Sequence, residues 1–234
     1  MEKKYKILKR LLDLLFPLQC PFCRRLISRR EFQNGICTEC EKTVCLYPDG
    51  GAGSTGRISA VPYCAKVYCA GAYAGPMKQA LIHYKFQGGC WMAEPFASAA
   101  HLILSKNGGY HGCDWIAYVP IHKKRFAKRG YDQSKLIAEK LSHKAGIPLL
   151  HALNRMDKRA GDTMQSKRGR YARLDQKQRF SERTDIPQVR DRGILLVDDI
   201  LTTGATLNEC AEILMKNGAA FVNAFVLASG RRDL

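Results

Sequence analysis

The sequence predicts an α/β protein, in which a parallel sheet flanked by helices follows a short N-terminal helix and a metal-binding module. The sheet is indicated by two apolar runs, residues 194–197 and 221–228, which enclose a helical stretch at 207–216 that ends near Gly218. Apolar strands joined by a helix are typical of parallel sheets covered on both faces. Two Cys-x2-Cys pairs near the N-terminus indicate the metal-binding module.

Composition and charge limit the class of protein and of partner. The 234 residues are 46% hydrophobic and 25% charged, which is a globular composition and excludes a disordered or fibrous chain. The formal net charge of +17 indicates a polyanionic partner: nucleic acid, a phosphorylated metabolite or an acidic membrane surface. No apolar run reaches the ~20 residues of a membrane-spanning helix, so we expect no integral membrane segment. The N-terminus lacks a small-residue cleavage site, and we therefore expect a cytoplasmic protein.

The chain divides into three predicted parts. Residues 1–16 form an amphipathic helix with leucines on one face, docked on the protein itself or, as the second alternative, lying on a membrane surface. Residues 17–46 form the metal-binding module, and the glycine-rich stretch at 47–57 is a loop. Residues 60–234 form the α/β domain.

Hydrophobic patterning predicts further elements inside this domain. Residues 115–119 are a short apolar run ended by a proline, as in a buried strand, and helices are expected at 75–83 and 133–144. Between residues 155 and 183 the chain carries 10 lysines and arginines against four acidic residues, without a strong apolar period. This composition predicts a long mobile loop with short helical pieces, which could close over a site and exclude water.

Four of the ten cysteines have the spacing of a zinc site. Cys20 and Cys23 form one Cys-x2-Cys pair, and Cys37 and Cys40 form the second, so that two tight turns can enclose one ion with four thiolates. The segment is too short to bury a core of its own, and a metal would supply folding free energy on the order of ~10 kcal/mol or more. Two disulfides are the less favoured alternative, because nothing indicates export to an oxidising compartment. Four thiolates leave no open position for catalysis, so the zinc is expected to be structural.

The most informative stretch is the end of the strand at 194–197 and the loop that follows it. Asp198 and Asp199 come directly after the strand, at the edge of an open sheet where ligands bind. Hydroxyls, backbone N–H groups and a helix N-terminus suit a phosphate, whereas the acids suit the hydroxyls of an attached sugar. The pattern therefore predicts a sugar-phosphate site. Its phosphate-binding residues are Thr202, Thr203, Gly204, Ala205 and Thr206.

Residues 197–206 resemble the phosphoribosyl pyrophosphate (PRPP) signature of type I phosphoribosyltransferases, in which the two acids hold the ribose and the threonine-rich loop holds the 5′-phosphate. The whole chain resembles the ComF family of competence proteins. This wider resemblance rests on Leu-Leu-Phe-Pro before the four-cysteine module and on the motifs at 84–88, 119–125 and 129–133. It implies a type I phosphoribosyltransferase-like fold and a role in DNA uptake, with the competence helicase as a partner.

The resemblance also implies roles for the cations that follow the strand at 115–119. They would offset the charge of pyrophosphate, or they would contact the backbone of single-stranded DNA, with Tyr131, Tyr171 and Phe180 interleaved among the cations for base stacking. The sequence departs from the family pattern at Asp132, where asparagine is usual, and at Arg168 and Gln176, where leucine and asparagine are usual. The cations assigned to this role are Lys123, Lys124, Arg125 and Arg129.

Three functions compete at this point. The favoured one is a competence-associated protein with a PRPP-binding fold and a basic surface for single-stranded DNA. The second is an active transferase that moves a phosphoribosyl group, with Asp198 and Asp199 as catalytic residues and Mg²⁺ bound with PRPP. For that reaction His122 is the nearest candidate base. The third is a zinc-stabilised interaction module, which leaves the two acids and the threonine loop unexplained.

Overall fold

A computed structural model describes residues 18–28, 36–43, 59–156, 179–183 and 189–230. The predicted N-terminal helix, the glycine-rich loop and most of the basic segment between residues 155 and 183 lie outside the described residues. So do Arg168 and Gln176, two of the three departures from the family pattern.

Five parallel strands form the central sheet, in the order β1-β7-β6-β2-β3. Two short strands, β4 and β5, pair antiparallel in a separate hairpin. The predicted parallel α/β fold is thus confirmed. In chain order, the strands are β1 Lys66–Cys69, β2 Cys113–Tyr118, β3 Leu149–Leu150, β4 Leu153–Arg155, β5 Phe180–Glu182, β6 Gly193–Leu201 and β7 Phe221–Ser229.

Six α-helices lie in the described part of the chain, together with one 3₁₀ turn at Gly89–Met92. The long helices carry leucine, isoleucine or alanine on their buried faces, and glycine or a polar residue follows the last turn of each. The helices are α1 Thr38–Thr43, α2 Gly75–Phe86, α3 Ala93–Lys106, α4 Lys123–Arg129, α5 Gln133–Ala145 and α6 Ala205–Lys216.

The sheet is buried on both faces because its strands are apolar at consecutive positions. In β6, Leu195 and Val197 join the core formed with α2, α3 and α5, whereas Ile194 and Leu196 join the core formed with α6. This alternation is the two-residue period of a strand. Both cores bury their side chains almost completely, so the sheet is a rigid base for the loops at its edge.

The chain reverses its winding direction between β2 and β6. From β6 it passes through α6 on one face to β7, and from β2 it passes through α5 on the other face to β3. Tyr118 of β2 pairs with Val197 of β6, so both strands present their carboxyl ends side by side. A crevice opens at such a switch point, and ligands of open α/β sheets bind there.

The structure differs from the sequence prediction in several elements. Strand β6 continues through both acids to Leu201, because its later residues still pair with β7. The cations after β2 lie on a short helix, α4, rather than in a loop. Helix α3, the edge strands β1 and β3 and the β4–β5 hairpin were not predicted from the sequence. The hairpin begins and ends the segment that is predicted to be a loop. In the part of the chain that the structure describes, no helix is long and apolar enough to cross a membrane.

Candidate functional site

Asp198 and Asp199 have different partners, although they are neighbours in β6. One Asp198 oxygen accepts hydrogen bonds from the Ser134 hydroxyl at 3.0 Å and from the Asp199 backbone N–H at 2.8 Å. Asp199 forms an ion pair with Lys85, whose Nζ lies 2.8 Å from a carboxylate oxygen. Both side chains of this pair are mostly buried, with 17% and 13% exposed. The two carboxylates therefore stand side by side, and only one of them has a cationic partner in direct contact among the described residues.

The loop after β6 is shaped by Gly204. This residue is the N-cap of α6 and has φ 82°, in the left-handed region that favours glycine. The Thr203 hydroxyl accepts a hydrogen bond from the Ala205 N–H at 3.3 Å, and the Gly204 carbonyl accepts one from Asn208 at 2.8 Å. The turn thus presents a helix N-terminus at the crevice, an arrangement that attracts anions.

A cavity of about 370 Å³ occupies the crevice, and its walls carry more positive than negative charge. Asp198 and Asp199 are its acidic residues. Five cations from four different segments face them, which suits a ligand with several negative charges. These cations are Lys85, Arg125, Arg129, Arg155 and Arg179.

Lys85 is positioned by the buried tyrosine that precedes it at the end of α2. The Tyr84 side chain is fully buried, and its hydroxyl donates to the Gln133 carbonyl at 2.9 Å. The Tyr131 hydroxyl donates to the Tyr84 carbonyl from the other side. These two hydrogen bonds tie the end of α2 to the start of α5, and they hold Lys85 where it reaches Asp199.

Burial and the neighbouring Asp199 charge raise the pKa of Asp198 to about 7. The Asp199 N–H and the Ser134 hydroxyl oppose this shift, because both donate to the charged carboxylate. An unfolded aspartate titrates near 4, so the native state disfavours the Asp198 charge at neutral pH. This carboxylate therefore lowers the stability of the folded protein, a feature of sites shaped for binding.

Asp198→Asn should stabilise the protein at pH 8 by about 2 kcal/mol, since it removes a partly buried charge. The wild-type penalty develops as the pH rises from about 4 to about 7. The gain should therefore shrink as the pH falls from 7 to 4, which urea unfolding at several pH values measures. Glu139→Gln, at an acid that is 41% exposed, is the matched control and should change stability little at any pH. A gain that stays constant with pH would contradict the assigned charge penalty.

Asp132 is the position at which the resemblance implies asparagine. It is the N-cap of α5, where one carboxylate oxygen accepts from the Lys135 N–H at 3.1 Å. The other oxygen accepts from the Ile121 N–H at 2.9 Å and so ties the segment after β2 to α5. An asparagine amide nitrogen could not accept the second bond. The aspartate thus fixes the cavity wall near Ile121 and adds no lining group of its own.

The β4–β5 hairpin reaches the cavity through Arg179. Its Nε lies 2.7 Å from a Glu209 oxygen on α6, and its Nη2 donates to the Ala205 carbonyl at 2.9 Å. A further contact joins Nη1 to the Thr206 hydroxyl at 3.4 Å. Arg179 therefore connects the end of the basic segment to the first turn of α6.

The structure places most of the predicted site residues on the cavity wall. Asp198, Asp199 and the cations Arg125 and Arg129 line it, as do Thr202, Thr203, Gly204 and Thr206. Lys123, Lys124 and Ala205 are not among its lining residues, and neither is His122, whose ring nitrogen instead accepts from Lys124 as the N-cap of α4.

The lining residues that sequence reasoning missed include Lys85, Ser134, Arg155 and Arg179. Lys85 lies in the motif at 84–88, which carried the resemblance but no assigned role. Phe180 had been considered for base stacking, and this interpretation is wrong, because its ring is fully buried. The guanidinium groups of Arg155 and Arg179 lie 4.4 and 5.9 Å from the centre of that ring.

A second candidate site lies at the four cysteines. The sulfurs of Cys20, Cys23, Cys37 and Cys40 all lie within 4.8 Å of one another, and the cysteines are free thiols. The Cys23 and Cys37 sulfurs are 3.7 Å apart. This agrees with the about 3.8 Å expected in a tetrahedron of sulfurs at ~2.3 Å from zinc.

The chemistry of the four thiols also fits a bound cation. Burial raises the pKa of the Cys20 thiol and of the Cys40 thiol, so these groups resist ionisation without a compensating positive charge. The Cys40 N–H donates to the Cys37 sulfur at 3.3 Å, as backbone groups do around bound thiolates. The cluster could therefore hold a metal ion.

The four-cysteine module is packed against the α/β domain. Phe22 is 5% exposed and meets the Phe96 ring of α3 edge to face, with ring centres 5.9 Å apart. Arg24 donates to the Gln87 side chain, at the end of α2, at 3.1 Å. The cysteines themselves join the same hydrophobic core as α2 and α3.

Comparison with known proteins identifies relatives of the chain. The sequence model of the family described as "Phosphoribosyl transferase domain" matches residues 135–234. The chain is 30% identical over 229 residues to "Competence protein F" of Haemophilus influenzae, covering 91% of this chain and 97% of that protein. It is 29% identical over 239 residues to "DNA utilization protein YhgH" of Escherichia coli K12, covering 92% and 98%.

A third relative comes from another bacterial species. The chain is 29% identical over 210 residues to "Competence protein ComFC" of Bacillus subtilis, covering 89% of this chain and 76% of that protein. These matches cover about nine tenths of this chain. The chain therefore belongs to the ComF family of competence proteins.

Proposed function

We propose that this protein handles single-stranded DNA during DNA uptake, and that the cavity between β2 and β6 binds PRPP or a related sugar phosphate. One observation carries the proposal: two acids, a threonine-rich turn and five cations line a single cavity at the switch point of the sheet. The names of the relatives support the link to competence and DNA use. The competence helicase is the protein partner that we expect to deliver the strand.

Three groups of residues in the cavity would each bind a different part of the ligand. Asp198 and Asp199 would accept hydrogen bonds from ribose hydroxyls, and the turn with Gly204 would hold the 5′-phosphate with backbone N–H groups. Lys85, Arg125 and Arg129 would neutralise a pyrophosphate. Mg²⁺, when bound, would supply further positive charge to the pyrophosphate oxygens, and carboxylates such as Asp199 are the ligands that it prefers.

The DNA-binding surface is centred on α4. Five of the seven residues of this helix are lysine or arginine, and none of the seven is buried. Lys123 and Lys124 occupy the first turn, where the helix dipole disfavours positive charge, so they do not serve helix stability. A phosphate backbone would offset this repulsion. A second group of cations lies between residues 155 and 183. Two of its members, Arg155 and Arg179, line the same cavity.

For the four-cysteine site we propose structural zinc. The closed set of four sulfurs leaves no position for substrate, so the ion would stabilise the fold and take no part in chemistry. A reducing compartment such as the cytoplasm, where thiolates stay available to a metal, is the location that we propose.

Two titrations test the proposed function. We expect calorimetry with PRPP and Mg²⁺ to detect binding, and Asp199→Asn to weaken it at least tenfold while Glu139→Gln leaves it unchanged. Single-stranded DNA should bind about 50-fold more weakly at 200 mM than at 50 mM salt if about four phosphates are contacted. Binding of DNA without salt dependence, or no binding, would contradict the proposal.

The transferase alternative predicts a different result in the same experiment. Tight PRPP binding that Asp199→Asn abolishes, together with weak DNA binding, would favour phosphoribosyl transfer. Salt-sensitive DNA binding without PRPP binding would instead favour the DNA-binding function, with the cavity as a vestige that no longer binds PRPP.

A further inference from the structure

Two phenylalanines are exposed beside the cationic helix α4. Phe86, the last residue of α2, is 60% exposed, and Phe126, in the middle of α4, is 52% exposed. Phenylalanine is normally buried, and exposed aromatic rings among cations are a feature of binding surfaces. Phe180, which the sequence predicts for base stacking, is buried and presents no ring face to a ligand.

Arg129 links the two rings. Its guanidinium carbon lies 4.7 Å from the centre of the Phe86 ring, so the planar cation covers one face of that ring. Arg129 follows Phe126 by three residues on α4, and both side chains therefore share one side of the helix. Its Nη1 also donates to the Gln133 side chain at 2.7 Å, which fixes the orientation of the guanidinium group.

A second cavity, of about 180 Å³, lies at this place. Its lining combines two aromatic rings with three cations: Phe86, Tyr131, Lys85, Lys128 and Arg129. Lys85 and Arg129 also line the larger cavity, so the two spaces adjoin. A ligand for this surface must alternate flat aromatic groups with negative charges.

Single-stranded nucleic acid has this chemistry, and the proposed role in DNA uptake makes single-stranded DNA the ligand that we assign. Duplex DNA keeps its bases stacked inside, and an acidic peptide offers carboxylates without a regular series of flat rings. Stacking of bases on aromatic side chains and on arginine, within a basic groove, is how proteins bind single strands without sequence preference.

We propose that Phe86, Phe126 and Arg129 form a base-stacking platform for single-stranded DNA, with Lys128 contacting an adjacent phosphate. The inference rests on the proposed function and assigns the residues that would carry DNA binding. Stacking contributes through the ring faces and releases no counterions, whereas the cations contribute through the phosphates. The two contributions can therefore be separated by experiment.

The test measures binding of fluorescein-labelled dT12 by anisotropy for wild type, Phe86→Ala and Phe126→Ala. Each substitution should weaken binding by about five- to 150-fold, the range for one stacked base. The slope of log affinity against log salt should stay at its wild-type value. Phe86→Leu should behave like Phe86→Ala, because leucine keeps an apolar surface but lacks the ring face.

Two controls separate stacking from other effects. An abasic oligonucleotide of the same length should bind the wild type more weakly than dT12 and should not distinguish wild type from Phe86→Ala. Tyr63→Ala removes an aromatic ring that is 40% exposed and hydrogen-bonded to α6, and it should bind dT12 like wild type. Circular dichroism and thermal unfolding verify that each variant is folded.

Three outcomes would overturn the platform while the proposed function stands. The first is wild-type affinity for dT12 in both alanine variants, and the second is full affinity for dT12 in Phe86→Leu. The third is that Phe86→Ala loses as much affinity for the abasic strand as for dT12. If the wild type itself binds no dT12 at low salt, the proposed function and the platform are both overturned.

Discussion

Replacing Cys20 with serine should release the bound metal and unfold the segment that carries the four cysteines. Cys20 is fully buried and lies in the cluster with the three other thiols. A structural zinc site contributes on the order of 10 kcal/mol to the folding of a small module, which such a short segment cannot replace by burial. Metal analysis should find one zinc per wild-type chain and none in the variant, and limited proteolysis should cut the variant near the cysteines.

The effect should extend into the α/β domain because the two parts share a core. Loss of the module would expose Phe96 and the neighbouring surface of α3, which Phe22 now covers. Phe22→Ala separates docking from metal binding: it should cost about 3–5 kcal/mol of stability and keep the metal. Cys90→Ser, at an exposed cysteine outside the cluster, is the control and should keep both metal and stability. A metal-free wild type that melts at the same temperature with and without a chelator would contradict the structural role.

The three middle strands of the sheet, β7, β6 and β2, could be predicted because their apolar runs are local signals. The edge strands β1 and β3 have four and two residues, which is too short for such a signal. The apolar run at 194–197 predicts a buried strand, and the periodicity of the helix after it predicts one buried face. The strand, the two acids and the threonine-rich turn also follow one another directly in the sequence. Asp198 and Asp199 could be named for the same reason. The end of β6 could not be placed, since Asp198 to Leu201 stay in the strand only through pairing with β7.

The remaining part of the site depends on contacts between distant segments. Lys85 reaches Asp199 across 114 positions of sequence, and its place is set by hydrogen bonds of the preceding tyrosine to other elements. Arg179 joins α6 from a hairpin whose strands have only three residues each, too few for a periodic signal. The exposed rings of Phe86 and Phe126 were missed because exposure is a property of the folded surface.

Gly204→Ala should both destabilise the protein and weaken sugar-phosphate binding. The residue has φ 82°, which costs about 1–2 kcal/mol for an L-residue with a side chain. A methyl group there would also lie 2.8 Å from the Ala60 carbonyl oxygen and 3.0 Å from Val61, so the turn or the segment at 60–61 must shift. With overpacking of about 1–3 kcal/mol, we expect the melting temperature to fall by on the order of 10 °C.

A displacement of the turn at Gly204 matters for ligand binding because this turn presents the N-terminus of α6 to the cavity. Displacing the backbone N–H groups should weaken PRPP binding by at least tenfold, whereas backbone strain alone should not. Gly146→Ala provides the matched control: this glycine also has a positive φ, 68°, but a methyl group there meets nothing within 4 Å. It should lower stability by about 1 kcal/mol and leave ligand affinity unchanged. If both variants lose equal stability and Gly204→Ala still binds PRPP like wild type in calorimetry, the turn does not hold the phosphate, and the ligand must be bound by the cations alone.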